Sequence, residues 1–365
     1  MRKNAHQLVS YIAPAAPATR RPATGDEPYL RPEIGFTPKW YRDALGIDFN
    51  EQWHADPSYR RESILAMRAE IRSRFPHTAI GSIDRPDSPL DLLTGAYGAC
   101  TIAAIYGLPI RFHSDNWPVA EIVPLTDDEL ERLQPPNLES NPFFLSLLDQ
   151  MDWIERKEGC INGFINWQGV LNNAHRLRGE QLFLDLLMDP ERCRHLFQCV
   201  ATTMIDAAKI VHARQRATGV SVHFFTVSNC LVNLVSPDLY ETLLLPFDKQ
   251  ISGAFEGIGI HNCAWTVDPY LGHYASVPGV SYMDMGLESD FETARALFPE
   301  ARRAVMYRPT ELAGKSEADL MADMERIARE LGPCDLVMAD IESGTPDARV
   351  QWVVDTCRRI SERMA

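Results

Sequence analysis

From residue 160 onward the chain alternates short apolar runs with longer amphipathic stretches. The runs occupy residues 160–165, 220–227, 257–261, 280–283, 304–307 and 335–339. Between them, apolar residues recur every three or four positions at 190–218, 237–255, 289–297 and 316–331, and a last such stretch spans 347–364. The first of these opens on Asp189-Pro190, an N-cap followed by a proline whose missing N–H is no loss in a first turn. Apolar runs alternating with helices predict βαβ units and a parallel sheet. At least six such units in series, with no GxGxxG turn, predict an α/β fold of the (β/α)8 TIM-barrel type over residues 91–365 rather than a dinucleotide-binding fold.

The first 90 residues read differently. Residues 1–30 hold several prolines and no periodicity, which predicts a flexible arm with room to strap a second copy in a homodimer. Residues 31–90 predict a helical and irregular extension. It begins with an aromatic segment at 36–53 and continues with a helical stripe of Ile64, Met67, Ile71 and Phe75. Residues 80–91, rich in Pro, Asp and Ser, predict a loop.

Composition narrows the class of function. Of 365 residues, 45% are hydrophobic and 24% charged, enough for a substantial core. Fifty acidic against 36 basic side chains give a net charge of −14, which repels a phosphate backbone and disfavours nucleic-acid or anionic-membrane partners. No run of about 18 apolar residues and no basic-then-apolar leader occurs, so the expected location is the cytoplasm. The eight cysteines show no CxxC spacing, which argues against a disulfide scaffold or a zinc finger.

Barrel enzymes carry their chemistry at the C-terminal ends of the strands. The residues that follow the apolar runs are Asn166, Trp167 and Gln168; Ser228, Asn229 and Cys230; His261, Asn262 and Cys263; Asp284; Arg308; and Asp340 with Glu342. In an extended segment, residues two apart share a face, so His261 and Cys263 are placed to grip one ion, and zinc suits such N and S donors. Asp340 is the favoured third ligand and Cys230 the next; Glu342 also ends its strand. Cys334 precedes the strand at 335–339, which puts it at the opposite face. Asn229 and Asp284 are candidates for hydrogen-bonding and acid–base work, and Arg308 for clamping an anionic substrate. Asn166 and Trp167 are expected to line a cofactor pocket.

From about Tyr97 onward the chain also resembles the uroporphyrinogen decarboxylase superfamily, nearest to its cobalamin- and coenzyme M-linked methyltransferases. The resemblance rests on Tyr106-Gly107-Leu108-Pro109, Trp117-Pro118-Val119, Gly179-Glu180-Gln181, Asp189-Pro190-Glu191, Ser236-Pro237, Leu245-Pro246, His261-Asn262-Cys263 and Gly344-Thr345-Pro346 in that order. It implies a (β/α)8 barrel. True decarboxylases of the family carry an arginine-rich N-terminal loop and a pocket aspartate; no such loop is present here, and Asn229 stands at the aspartate's position, so porphyrinogen decarboxylation is disfavoured. The methyltransferase branch holds zinc with H-x-C and a later cysteine, which matches at His261 and Cys263, whereas the last position here is Ala339-Asp340. The resemblance thus implies a zinc enzyme moving a methyl group between a corrinoid or similar carrier and a small acceptor. No D-x-H-x-x-G corrinoid-ligating motif occurs, so a corrinoid would arrive on a partner protein. Two other readings stay open at this point: a metal-free decarboxylase or lyase working through Asn229, His261 and Asp284, and a non-catalytic protein that binds a corrinoid or tetrapyrrole.

Overall fold

The computed structural model describes residues 23, 25, 27–76, 78 and 90–364. The arm expected over residues 1–30 and the loop expected over 80–91 therefore lie mostly outside the described residues. The centre is a six-stranded parallel sheet built from β1 (Leu30–Phe36), β2 (Phe224–Ser228), β3 (Gly257–His261), β4 (Val280–Met285), β5 (Arg302–Met306) and β6 (Cys334–Ile341). The strand order is β1-β6-β5-β4-β3-β2. The strands are buried, which is why they read as apolar runs rather than alternating ones; every residue of β3 is buried.

Because all neighbours are parallel, the C-terminal ends of the strands fall along one edge. Register sets their levels: Ser228 lies opposite His261, Ile260 opposite Met283, and Met306 opposite Val337. One ladder joins segments far apart in sequence, pairing Leu30 with Cys334 and Ile34 with Met338.

These six strands thus make the parallel sheet of an α/β fold, beside a small antiparallel pair of Ile110–Arg111 with Val119–Ala120, and three places differ from the sequence pattern. Leu30–Phe36 falls in residues assigned above to the arm and the extension, yet it is a strand of the sheet itself. Its polar residues mask it: Arg31 is in the sheet because Asp335, fully buried on the neighbouring strand, takes it at 2.6 Å and also takes Arg302 Nε at 2.7 Å. Residues 160–165 form no ladder; Asn162 makes a single parallel bridge to Asp91. Gly163 there has φ 118°, and the Asp91 carboxylate accepts from the Leu93 and Thr94 amides instead of leaving the backbone straight. The stretch 237–255 is broken into Pro237–Leu239, a π-helical turn at Tyr240–Leu244, and Leu245–Ala254. Pro246 has no N–H for the carbonyl of Thr242, so the regular ladder gives way just before it.

Helices Pro38–Leu45 and Pro57–Arg74 lie where the extension was expected, each opened by a side-chain cap, from Thr37 and Asp56, and a first-turn proline. Ile64, Met67 and Ile71 form the buried stripe of the longer helix. The aromatic segment is a packing cluster: Phe36 stacks on Trp40 at 4.2 Å and on Phe75 at 5.7 Å, and Phe49 meets Trp53 at 5.1 Å. Buried Arg60 ties these helices to the sheet side by donating to the carbonyls of Trp53, His54 and Leu92. No helix among the described residues is long and apolar enough to cross a membrane.

Candidate functional site

Three ligating side chains converge at the C-terminal edge. β3 ends on His261, and two residues later Cys263 turns into the left-handed region at φ 58°. The thiol therefore reaches its neighbour through a turn rather than by the extended two-residue repeat expected from sequence. Its sulfur stands 3.2 Å from His261 Nε2. The turn is held from below by close backbone approach: a Cβ on Gly286 would lie 2.5 Å from the carbonyl oxygen of Ala264, and the Gly286 amide donates to Trp265 O at 2.9 Å.

Cys230 comes from the neighbouring strand. Since Ser228 is in register with His261, the Asn229 amide donates to the His261 carbonyl at 2.6 Å, and Cys230 follows directly above the imidazole strand. A hydrogen bond from the Leu231 amide to Asn172 Oδ1 at 3.2 Å fixes the loop beyond it. The two sulfurs are 2.8 Å apart, and the ligand atoms of Cys230, His261 and Cys263 all lie within 4.8 Å of one another.

The imidazole is oriented from behind. His261 Nδ1 is 2.6 Å from Asp284 Oδ2, while Asp284 Oδ1 accepts from the Asn262 amide at 2.7 Å and Tyr282 donates to Oδ2 at 3.1 Å. Asn262 is itself fixed, giving its side-chain N–H to the Asp284 carbonyl and accepting from Tyr274 at 2.8 Å each. A carboxylate that only accepts makes Nδ1 the protonated nitrogen, so Nε2 presents its lone pair to the sulfurs.

The three residues open into a cavity of about 590 Å³. Arg308 and Asp340 stand on its wall beside Met306 and Tyr307, and Gln168, Asn172 and Arg176 face them. Arg308 is held by Glu288 at 2.9 Å and by the Ala264 carbonyl at 3.3 Å. Asp340 has φ 59° and lines the same cavity, outside the group formed by Cys230, His261 and Cys263.

The remaining expected residues fall elsewhere. Asn229 is buried and turned to the rear, donating to Asp248 Oδ2 at 2.9 Å beside the Tyr240 hydroxyl at 2.7 Å; burial pushes the Asp248 carboxyl up to about 6. Trp167 is core, stacked with Phe225, and its carbonyl accepts from Asn173 at 2.8 Å. Asn166 accepts from the amide and the side chain of Gln168, so the cavity wall at this strand end is Gln168 and not Asn166 or Trp167. Cys334 is buried at the start of β6, away from the cavity, and burial pushes its thiol up to about 12. Glu342 is exposed, within 3.5 Å of the Thr37 hydroxyl. Sequence reasoning missed the wall formed by Asn172 and Arg176, whose only signal is an i, i+4 spacing on the helix Val170–Arg178.

No protein-family model and no curated protein matches this sequence. Among solved structures, a methyltransferase from Methanosarcina mazei superposes with a TM-score of 0.65 over 93% of this chain and 95% of that one, at 15% sequence identity. At that identity the likeness establishes that the two chains share a fold.

Proposed function

We propose that this chain is a zinc-dependent methyltransferase of the uroporphyrinogen decarboxylase-like kind, moving a methyl group between a corrinoid carried by a partner protein and a small acceptor. The observation that carries the reading is the convergence of Cys230, His261 and Cys263 at the mouth of the cavity. Two sulfurs and an imidazole are a donor set zinc favours, and two Zn–S bonds of about 2.3 Å allow ligand atoms up to about 4.6 Å apart. The ligand atoms all lie within 4.8 Å of one another, which is on that scale. Asp284 adds the carboxylate that metal-bound imidazoles usually have behind them. The shared fold with a methyltransferase supports the same reading.

When bound, zinc supplies a Lewis acid that favours the deprotonated, nucleophilic form of a coordinated acceptor. The protein's own groups do the rest. Cys230 and Cys263 would hold the metal from the ends of two neighbouring strands, and Asp284 keeps the His261 proton on Nδ1. Val119, Leu231 and Met306 give the cavity an apolar wall, which suits passage of a methyl group. We further read the segments around Asp91 and Asn162 as the second and third positions of an eight-membered barrel; their parallel bridge and the β1–β6 ladder support this.

Elemental analysis tests the proposal. Wild type is expected to hold about one zinc per chain, and Cys263→Ser to lose most of it together with methyl transfer from methylcobalamin to a small thiol. Unchanged zinc in that variant, or full activity without metal, overturns the reading.

A further inference from the structure

The eight cysteines divide by exposure. Cys100, Cys160, Cys193, Cys199, Cys334 and Cys357 are buried, whereas Cys230 and Cys263 are half-buried and both line the cavity of about 590 Å³. Burial pushes the hidden thiols up, to about 11 at Cys100 and about 12 at Cys193 and Cys334, which keeps them protonated and unreactive. Cys334 and Cys357 sense each other electrostatically, yet both have no exposed surface in the core. A small oxidant entering the cavity therefore meets two sulfurs, and they are neighbours.

Their spacing is the informative quantity. The sulfurs of Cys230 and Cys263 stand 2.8 Å apart. A disulfide bond needs about 2.0 Å. Zinc held by both at about 2.3 Å in tetrahedral geometry would spread them to about 3.8 Å. The observed separation lies between the two, a shift of about 1 Å or less from either. The backbone that carries the pair is fixed. On one side of Cys230 the Asn229 amide donates to the His261 carbonyl at 2.6 Å, and on the other the Leu231 amide donates to Asn172 Oδ1 at 3.2 Å. Cys263 sits in its left-handed turn at φ 58°, braced by the Gly286 amide on the Trp265 carbonyl. Passing from metal spacing to bond spacing thus falls to rotation of two side chains, with the strands unmoved.

We propose that Cys230 and Cys263 are a redox modification site, which hydrogen peroxide closes to a disulfide in the metal-free protein and which a dithiol reductant reopens. Peroxide loses its O–O bond on one sulfur, giving a sulfenic acid and one water. The second sulfur attacks the first, the S–S bond forms, the S–O bond breaks and a second water leaves. Each sulfur gives up one electron, peroxide takes both, and the two thiol protons end in the waters. The consequence, loss of the zinc site on oxidation, rests on the metal reading given above, while the bond itself does not.

The test uses the full-length chain, reduced, stripped with a chelator and exposed to equimolar hydrogen peroxide. Wild type is expected to lose two of its eight thiols, with the Cys230 and Cys263 peptides joined in non-reducing mass spectrometry, and dithiothreitol should restore both thiols. Cys230→Ser, lacking a second sulfur, should carry Cys263 on to sulfinic acid instead. Zinc added before peroxide should slow the loss, and oxidation of the loaded protein should release the metal to a chromophoric chelator. A wild type that keeps all eight thiols, joins a different pair, or takes Cys230 or Cys263 to sulfinic acid overturns the modification site. If that protein still binds zinc through these thiols, the metal reading stands. Reduced protein that takes up no zinc but forms the Cys230–Cys263 bond sinks the metal reading and leaves the modification site in place.

Discussion

Replacing Asp284 by Asn isolates what the buried carboxylate does for the imidazole. Asp284 is fully buried and divides its partners between its two oxygens: Oδ2 meets His261 Nδ1 at 2.6 Å and the Tyr282 hydroxyl at 3.1 Å, and Oδ1 accepts from the Asn262 amide at 2.7 Å. Asn keeps the shape but only one acceptor oxygen. If that oxygen stays on the Asn262 amide, the new NH2 faces the ring and forces Nδ1 to accept. The ring proton then moves to Nε2, the atom 3.2 Å from Cys263 Sγ, and the lone pair needed for a metal is gone. If the oxygen turns to His261 instead, a buried backbone N–H meets an NH2 and loses its partner, at a cost of about 1–3 kcal/mol. In either arrangement the site is worse for a metal. Losses of this kind lower metal affinity about 10- to 100-fold, equivalent to about 1.4–2.7 kcal/mol. Zinc affinity is read by competition with a chromophoric chelator, with circular dichroism confirming that the variant is folded. A folded Asp284→Asn protein whose zinc affinity lies within about twofold of wild type refutes the role assigned to the carboxylate.

Three other outcomes follow from the same geometry. Cys230→Ser should strip zinc as thoroughly as Cys263→Ser while Asp340→Asn retains it, because the convergent group contains the sulfur and not the carboxylate; the reverse pattern by elemental analysis would exchange their roles. Gly286→Ala should destabilise by about 1–3 kcal/mol in urea unfolding and weaken metal retention, since the added Cβ would meet the Ala264 carbonyl at 2.5 Å and push the turn bearing Cys263 outward; wild-type values for both would show that the turn yields without consequence. Asp248 titrates at about 6 in the fold against an ordinary 3.8, so the native state binds the extra proton and stability falls as pH rises from about 4 to 6. At 1.36 kcal/mol per pH unit this contribution is about 3 kcal/mol, and Asp248→Asn should flatten that part of the curve; an unchanged slope in denaturation midpoints across that window removes the assignment.

How much of this was legible in the sequence depended on distance along the chain. His261 and Cys263 were found because two residues of spacing is local information, even though the turn at Cys263 and not strand alternation joins them. Cys230 ranked behind Asp340 because the choice between them is made by register, Ser228 against His261, which no local pattern contains. Arg31 and Glu33 hid the strand Leu30–Phe36, since the compensating Asp335 lies 304 residues beyond Arg31. Trp167 was expected in the pocket because it ends an apolar run, but one position of rotation at Gln168, with φ 59°, gives the wall to its neighbour. Arg176 carried no signal beyond its i, i+4 spacing from Asn172: charged residues in an amphipathic helix ordinarily face water, and only the packed helix shows which one faces inward.

The ladder between β1 and β6 has a consequence for how the protein is made. During synthesis Leu30, Ile34 and Phe36 leave the ribosome about 300 residues before Cys334, Met338 and Ile341, the residues they pair with in the sheet. At roughly 5–20 residues per second this interval lasts tens of seconds. Throughout it the nascent chain exposes an apolar ribbon with unsatisfied backbone groups, the kind of surface that chaperones recognise and that aggregates when left uncovered. Completion of the sheet is therefore a late, long-range event, and the wall carrying Asp340 is assembled in the same step as the oldest strand finds its place.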